Sequence, residues 1–386
     1  MADAAADLEL RRAWSFPGIW SLGFGVPLWF FCIGRHSRDP YISRVAAKLK
    51  VAVMGTGSLG REHVRIYSQL ADSGLVDFVG VYDVDTKTAA QVADKHGIIA
   101  FASFTHAAAA CDAASVVTPT TTHFEITRSL LQNGRHVLVE KPMTENPEQA
   151  AELVRLSQQH RCVLQVGHVE RFNPVFNYLQ SVATDPKFIE VHRLSPYPAR
   201  STDIGVVLDL MIHDLDVLLA FVKSPVVHVE AVGIPVLSRS EDIANARLRF
   251  SNGCIANLTA SRISPERMRK IRVFSSGTTP VYVSLDYRAQ EGFIYRIGRS
   301  DEEESSLLKK LLRAKDTTIV SQFAGRKIVR EPVPIRKGEP LKLELEHFIE
   351  SVRLHQTPTV SGEAGKRALD LAFEITRQIQ SIPKQT

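Results

Sequence analysis

The stretch from Lys48 to Asp83 constrains the fold more than any other part of the chain. Lys48-Leu-Lys-Val-Ala-Val-Met54 is a short apolar run rich in β-branched residues, the pattern of a strand buried in a parallel sheet. It leads directly into Gly55-Thr56-Gly57-Ser58-Leu59-Gly60. From Arg61 to Leu70, the residues Val64, Ile66, Tyr67 and Leu70 recur at helical spacing, and Val76–Tyr82 forms a second strand ending in Asp83. In such a unit Gly55 permits the tight turn, Gly57 lets the backbone approach a pyrophosphate, and Gly60 lets the helix pack closely on the strand. The helix N-terminus offers unpaired N–H groups to the phosphates. Asp83 stands 23 residues beyond Gly60, where a carboxylate binds ribose hydroxyls and repels a 2′-phosphate. Val84, Asp85, Thr86 and Lys87 follow it, with no arginine to receive such a phosphate. The unit therefore predicts an NAD site built from Gly55, Thr56, Gly57, Ser58, Leu59, Gly60 and Asp83.

The alternation of strand and helix continues. Ala113–Val117 reads as a strand that ends in Thr118 and Pro119, with His123 ahead of a helix over Phe124–Leu131. Gly134–Glu140 reads as another buried strand, leading into Lys141-Pro142. Ligands of doubly wound sheets bind at the carboxyl ends of the strands. Thr118, Pro119, His123, Glu140 and Lys141 are therefore expected around the cofactor.

Two features could carry chemistry. A lysine at position 141 can hydrogen-bond a substrate hydroxyl and stabilise negative charge on its oxygen; the plainer reading is a surface lysine at a strand end. Further on, Leu208, Ile212, Leu215 and Leu219 mark a helical period, on which Asp209 and His213 are four apart and share a face. Histidine suits proton removal near neutral pH, and a neighbouring carboxylate can orient it. The alternatives are a core histidine with Asp209 as a helix N-cap, or a metal site joined by Asp214 and His168. No metal is expected, because hydride transfer to a nicotinamide requires none.

Taken together, Gly55–Gly60, Gly134-Arg-His-Val-Leu-Val-Glu140-Lys141-Pro142 and Asp209-x-x-x-His213-x-x-Asp216 resemble the glucose–fructose oxidoreductase / inositol dehydrogenase family. Leu345-Glu-His-Phe-Ile349, Pro358–Gly362 and Arg367–Ala372 agree with it, so the resemblance spans roughly 48–384. It implies an α/β protein with an N-terminal Rossmann domain and a C-terminal α/β domain built on a large, mostly antiparallel sheet that usually mediates oligomers. It also implies that Lys141, Asp209 and His213 hold the family's catalytic positions; Met211 stands where many members have glycine. Val166–Pro174, Arg193–Arg200 and Ala260–Arg267 are similar to the branch that oxidises UDP-N-acetylglucosamine at C3. That similarity implies substrate contacts from His168, Arg171, Asn173, Arg200 and Arg262, since arginines grip diphosphates and Asn173 can bond sugar hydroxyls or an acetamido group. The competing expectations are an inositol or free-sugar dehydrogenase, and a non-catalytic dinucleotide-binding regulator, which would show decay of the catalytic trio.

Composition narrows the classes that remain. The 386 residues carry a net charge of +5, with lysine and arginine spread rather than clustered, which suits an anionic small molecule and gives no basic stripe for nucleic acid. The four cysteines (Cys32, Cys111, Cys162, Cys254) form no C-x-x-C pair, which fits a reducing cytoplasm. Residues 1–47 read differently from the rest. All three tryptophans lie there, and Ala13–Gly34 is uncharged but interrupted by Pro17, Gly18, Gly23, Gly25 and Pro27. This extension is expected to be a disordered tail or a start-site artefact, with a membrane or targeting segment as the alternative. Domains are expected at 48–168 for the cofactor and 169–386 for substrate and homo-oligomer contacts. The acidic break at 300–306 and the amphipathic, basic residues after it are expected to form a solvated loop, or else a flap or subunit contact.

Overall fold

The computed structural model describes residues 48–197, 204–277, 279–298, 318–323 and 326–381. The N-terminal extension, Arg200 and the acidic segment with its basic continuation lie outside the described residues.

Buried apolar runs make the first sheet. Its strands are β1 (Lys50–Met54), β2 (Asp77–Tyr82), β3 (Ile99–Ala100), β4 (Ala113–Val116), β5 (His136–Glu140) and β6 (Leu164–Gly167). All pair in parallel, in the order β3-β2-β1-β4-β5-β6. Val51, Ala52, Val53 and Met54 are fully buried, as expected for a strand covered on both faces. The helix after β1 spans Ser58–Asp72 and buries Val64, Ile66, Tyr67 and Leu70, the face read from the sequence. Strand order reverses between β1 and β4, so the loops leaving these two strands diverge and open a crevice at their carboxyl ends.

The second sheet has nine strands: β7 (Pro186–Leu194), β8 (Val226–Ile234), β9 (Ile243–Phe250), β10 (Ile255–Ser261), β11 (Met268–Ser275), β12 (Val281–Asp286), β13 (Glu291–Ile297), β14 (Thr318–Phe323) and β15 (Arg326–Pro332). Only the β7–β10 pair is parallel. Period-2 burial is clear in β9, where Ala244, Ala246, Leu248 and Phe250 point inward. The other face is open. There Phe274 is exposed, and Phe188, Phe274, Tyr282 and Tyr295 pack ring against ring across four strands.

The last two helices return to the cofactor domain. Pro340–Leu354 packs on Ser58–Asp72, placing Leu345, Phe348, Ile349 and Val352 in one core with Val64, Ile66 and Tyr67. Each such buried side chain contributes about 1.5–3 kcal/mol. Gly362–Ser381 packs against the helices Pro147–Gln159 and Ile212–Val222. The helix carrying His213 is thereby fixed to the cofactor domain. Among the described residues no helix is long and apolar enough to cross a membrane.

Candidate active site

The glycine loop divides into two glycines the protein needs internally and one it does not. Gly55 has a φ of +102°, and a side-chain carbon there would collide with the Val117 carbonyl. A side chain at Gly60 would strike the Gly55 carbonyl, so Gly60 closes the loop on itself. Gly57 has an ordinary φ of −62°, and a side-chain carbon there would meet nothing within 4 Å. Its smallness serves whatever lies against the loop from outside. No side chain caps the first turn of Ser58–Asp72, whose N–H groups remain available.

Asp83 is tied to the same loop. Its Oδ2 accepts from the Thr56 amide at 2.6 Å and the Thr56 hydroxyl at 2.8 Å, and its Oδ1 accepts from the Asp85 amide at 2.9 Å. A carboxylate offers about four acceptor positions, so capacity remains for a ribose hydroxyl. An open Gly57, an uncapped helix start and a fixed carboxylate fit NAD.

Around the strand ends the expected residues separate. Thr118 and Pro119 sit at the end of β4, with Pro119 leading into helix Thr120–Gln132. His123 is buried and does not face a ligand. Its Nδ1 lies 2.8 Å from the Pro142 carbonyl and its Nε2 2.8 Å from the Thr118 carbonyl, so it clamps the loops after β4 and β5 together. Burial lowers its pKa. Glu140 is also turned inward, 3.1 Å from Nε2 of the buried His63, with a side chain at Gly167 excluded by its carboxylate. Both side chains make these contacts inside the protein.

Lys141, next in the chain, is half-buried. Its Nζ donates to the Asp209 carbonyl at 2.7 Å and lies 3.3 Å from Asp209 Oδ1. Asp209 lies in a π-helical turn over Val207–Met211 that runs into helix Ile212–Val222. Glu241 shapes the start of this turn. It accepts the Val207 amide at 3.3 Å, and its carboxylate fills the space a side chain at Gly205 would need. The expected Asp209–His213 partnership is corrected here, because the Asp209 carboxylate is engaged by Lys141. Among the described residues no hydrogen bond joins Asp209 to His213, whose Nδ1 has no partner.

His213 packs edge to face against His168, with ring centroids 6.1 Å apart at 87°. Burial, then the cations of Lys141, Arg193 and Arg269, hold the His213 pKa well below the usual imidazole range. Burial, with Lys141 and Arg171, pulls the fully enclosed His168 down to about 3. Both rings are neutral near pH 7, as a proton acceptor must be.

A buried ion network underlies the pair, and sequence reasoning missed it. Arg193 clasps Asp214 at 2.7 and 2.8 Å and reaches Glu170 Oε1 at 3.1 Å. Asp214 beside His213 in an otherwise apolar helix was the available signal. The expected substrate residues are largely committed to this framework. Arg171 lies 3.4 Å from Asp216, which burial pushes up to about 7, and also donates to the Thr359 carbonyl. Asn173 donates to Glu170 and the Tyr287 carbonyl while its Oδ1 accepts from Val175. Arg262 is fully buried, bound to Asp242, the Ile204 carbonyl and Ser238. The expected diphosphate grip by Arg262 is therefore corrected, because its guanidinium is spent inside the protein, while Arg171 keeps an Nε without a partner beside its two longer contacts. Among the described residues no cluster of three or more histidine, cysteine or acidic side chains could hold a metal.

Comparison with known proteins places this arrangement. Residues 49–168 match the oxidoreductase family with an NAD-binding Rossmann fold, and residues 183–279 match the GFO/IDH/MocA C-terminal domain. The chain is 33% identical to UDP-N-acetylglucosamine 3-dehydrogenase of Acidithiobacillus ferrooxidans, over 86% of this chain and 98% of that protein. It is 26% identical to scyllo-inositol 2-dehydrogenase (NAD(+)) of Bacillus subtilis, over 86% and 95%. A solved structure of the A. ferrooxidans enzyme superposes with a TM-score of 0.77 at 32% identity, covering 87% of this chain and 99% of that one. GenD2 from gentamicin A biosynthesis, solved with NAD, shares the fold at a TM-score of 0.69 and 17% identity, over 89% and 97%. The chain therefore belongs to the GFO/IDH/MocA family and is an NAD-dependent dehydrogenase.

Proposed function

We propose that this dehydrogenase oxidises a sugar hydroxyl of a nucleotide sugar to a ketone, at C3 of a UDP-N-acetylhexosamine. The observation that carries the reading is the approach of Lys141 to Asp209 across the two domains, which brings the lysine to the helix of His213. The likeness to the A. ferrooxidans enzyme over nearly its whole length supports the choice of substrate.

NAD, held by Gly55–Gly60 and Asp83, supplies the acceptor for the hydride leaving the carbinol carbon. The chain's own residues manage the proton and the oxygen. Neutral His213 takes the hydroxyl proton, and His168 limits how its ring can turn. Lys141, steadied by Asp209, donates to the oxygen as its negative charge develops. Thr118 and Pro119 border the cofactor at the end of β4. The sheet of the second domain covers the site from the other side, and its open aromatic face suits contact with a second copy of the chain in a cytoplasmic homo-oligomer.

The test is to give purified protein NAD with UDP-N-acetylglucosamine, other UDP-sugars, free sugars and inositols, and follow NADH absorbance. Turnover of UDP-N-acetylglucosamine is expected. A signal with myo-inositol alone would replace the substrate.

A further inference from the structure

With Arg262 committed elsewhere, Arg193 and Arg269 are the guanidinium groups that bear on His213. Arg269 is the second residue of β11, and its register partner on β7 is Arg193. Like charges directly opposite on a sheet repel each other. Arg193 is satisfied by Asp214 and Glu170, both within 3.1 Å. Arg269 has only a share of the same Glu170 oxygen at 3.4 Å, and its side chain is 52% exposed.

The Tyr287 amide extends the ladder by donating to the Arg269 carbonyl at 2.8 Å, and Arg288 follows. Arg288 is exposed, and among the described residues its guanidinium has no ion-pair partner. The positive charges of Arg193 and Arg288 both bear on Arg269. Arg193 and Arg269 thus share Glu170, Arg193 alone clasps Asp214, and the surplus positive charge lies on the exposed Arg269 and Arg288. The hydroxyl of the buried Tyr287, between them in the chain, also lacks a partner. Arg193 and Arg269 are close enough to His213 to depress its basicity.

We propose that Arg269 and Arg288 anchor the diphosphate of the substrate next to His213. This rests on the nucleotide-sugar reading above. Guanidinium groups match the planar oxygen pairs of a phosphate. An inositol or a free sugar carries no charge to balance the pair. Seated there, the diphosphate sets how far the sugar ring extends toward His213 and Lys141, so the anchor selects which hydroxyl reacts.

Inorganic pyrophosphate is the direct probe, titrated by calorimetry into protein saturated with NAD so that the glycine loop is filled. Wild-type protein is expected to bind it, with affinity falling roughly tenfold or more in Arg269→Ala and in Arg288→Ala, and partly restored in Arg269→Lys. With UDP-N-acetylglucosamine the same variants should raise KM more than they lower kcat. Equal pyrophosphate affinity in wild type and in natively folded variants would overturn the anchor. If UDP-N-acetylglucosamine is turned over with KM unchanged in both variants, the anchor falls and the substrate reading stands. If only inositols are turned over while pyrophosphate binding still depends on Arg269, the substrate reading falls and the anion site stands.

Discussion

Lys141 Nζ reaches both the carbonyl and the carboxylate of Asp209, 68 residues further along the chain and in the other domain. Of the contacts between the domains, this one brings together the two sides of the proposed reaction. It fixes the lysine against a backbone turn that is itself anchored by Glu241.

Lys141→Ala should lower kcat by about 10²–10³-fold while leaving NAD affinity nearly unchanged, because the lysine acts on the developing oxygen charge and not on the glycine loop. Asp209→Asn should weaken turnover less, since the carbonyl contact to Lys141 survives. Steady-state kinetics with NAD titration by fluorescence separates the two effects. Equal losses in kcat and NAD affinity would mark the lysine as a structural prop.

The depressed pKa of His213 fixes the shape of the pH profile. The neutral ring is the competent form, and lowering its pKa extends that form to more acid conditions. The kcat/KM profile should therefore pass through pH 6.5 without an acid limb and bend only well below it. His213→Asn should lower turnover by about 10²–10⁴-fold at every pH above that bend. An acid limb at 6.5 or above in the free enzyme would contradict this environment.

Arg262 is a matter of stability. Its guanidinium meets Asp242 at 2.8 Å with both side chains fully buried. Burial alone would raise Asp242, but the Ser238 amide and Arg262 hold its carboxyl below the ordinary range. Arg262→Ala removes the cation from that buried carboxylate, leaving it the amides of Val236, Leu237 and Ser238 and the Ser238 hydroxyl, and should cost about 3–5 kcal/mol, read as a lower denaturation midpoint. A selective rise in substrate KM with unchanged stability would return Arg262 to the binding site.

Glu344 is fully buried with neither carboxylate oxygen partnered, close enough to Glu140 and Asp216 to be repelled by them. Burial, then those two neighbours, raises its pKa well above the usual 4.5. The folded protein therefore holds a proton that the unfolded chain releases, and stability falls as pH rises from about 4.5 through the folded value. Glu344→Gln removes that titration. Its advantage over wild type in thermal unfolding should widen toward alkaline pH, and a pH-independent difference would contradict the reading.

How much of this was legible follows from what sequence patterns report. The strands β1, β2, β4 and β5 were readable to within about two residues, because burial on both faces leaves an unbroken apolar run, and the helix after β1 to within three at its start, from the spacing of its apolar face. The placement of Lys141 after β5 and of His213 on a helix was readable from motif and helical spacing. Spacing says which residues share a helix face, but not which distant group claims them, so Asp209 was assigned to His213 when Lys141 holds it. Depth was equally hidden. Arg262 looked like a free cation because Asp242, 20 residues earlier, meets it only once β9 and β10 pair. Arg269 was overlooked because its surplus charge arises from its register opposite Arg193, and register does not show in a single strand.

The π-helical turn over Val207–Met211 has a consequence for how this site could change. Such a turn amounts to one residue more than a regular helix would hold. Excising a single residue there would let the segment relax to ordinary winding, with Gly362–Ser381 still gripping the downstream helix. With the imidazole held in place on that helix, the residues before the excision, Asp209 among them, would turn by about 100° around the axis relative to it. One codon thus decides whether the lysine keeps its hold on Asp209.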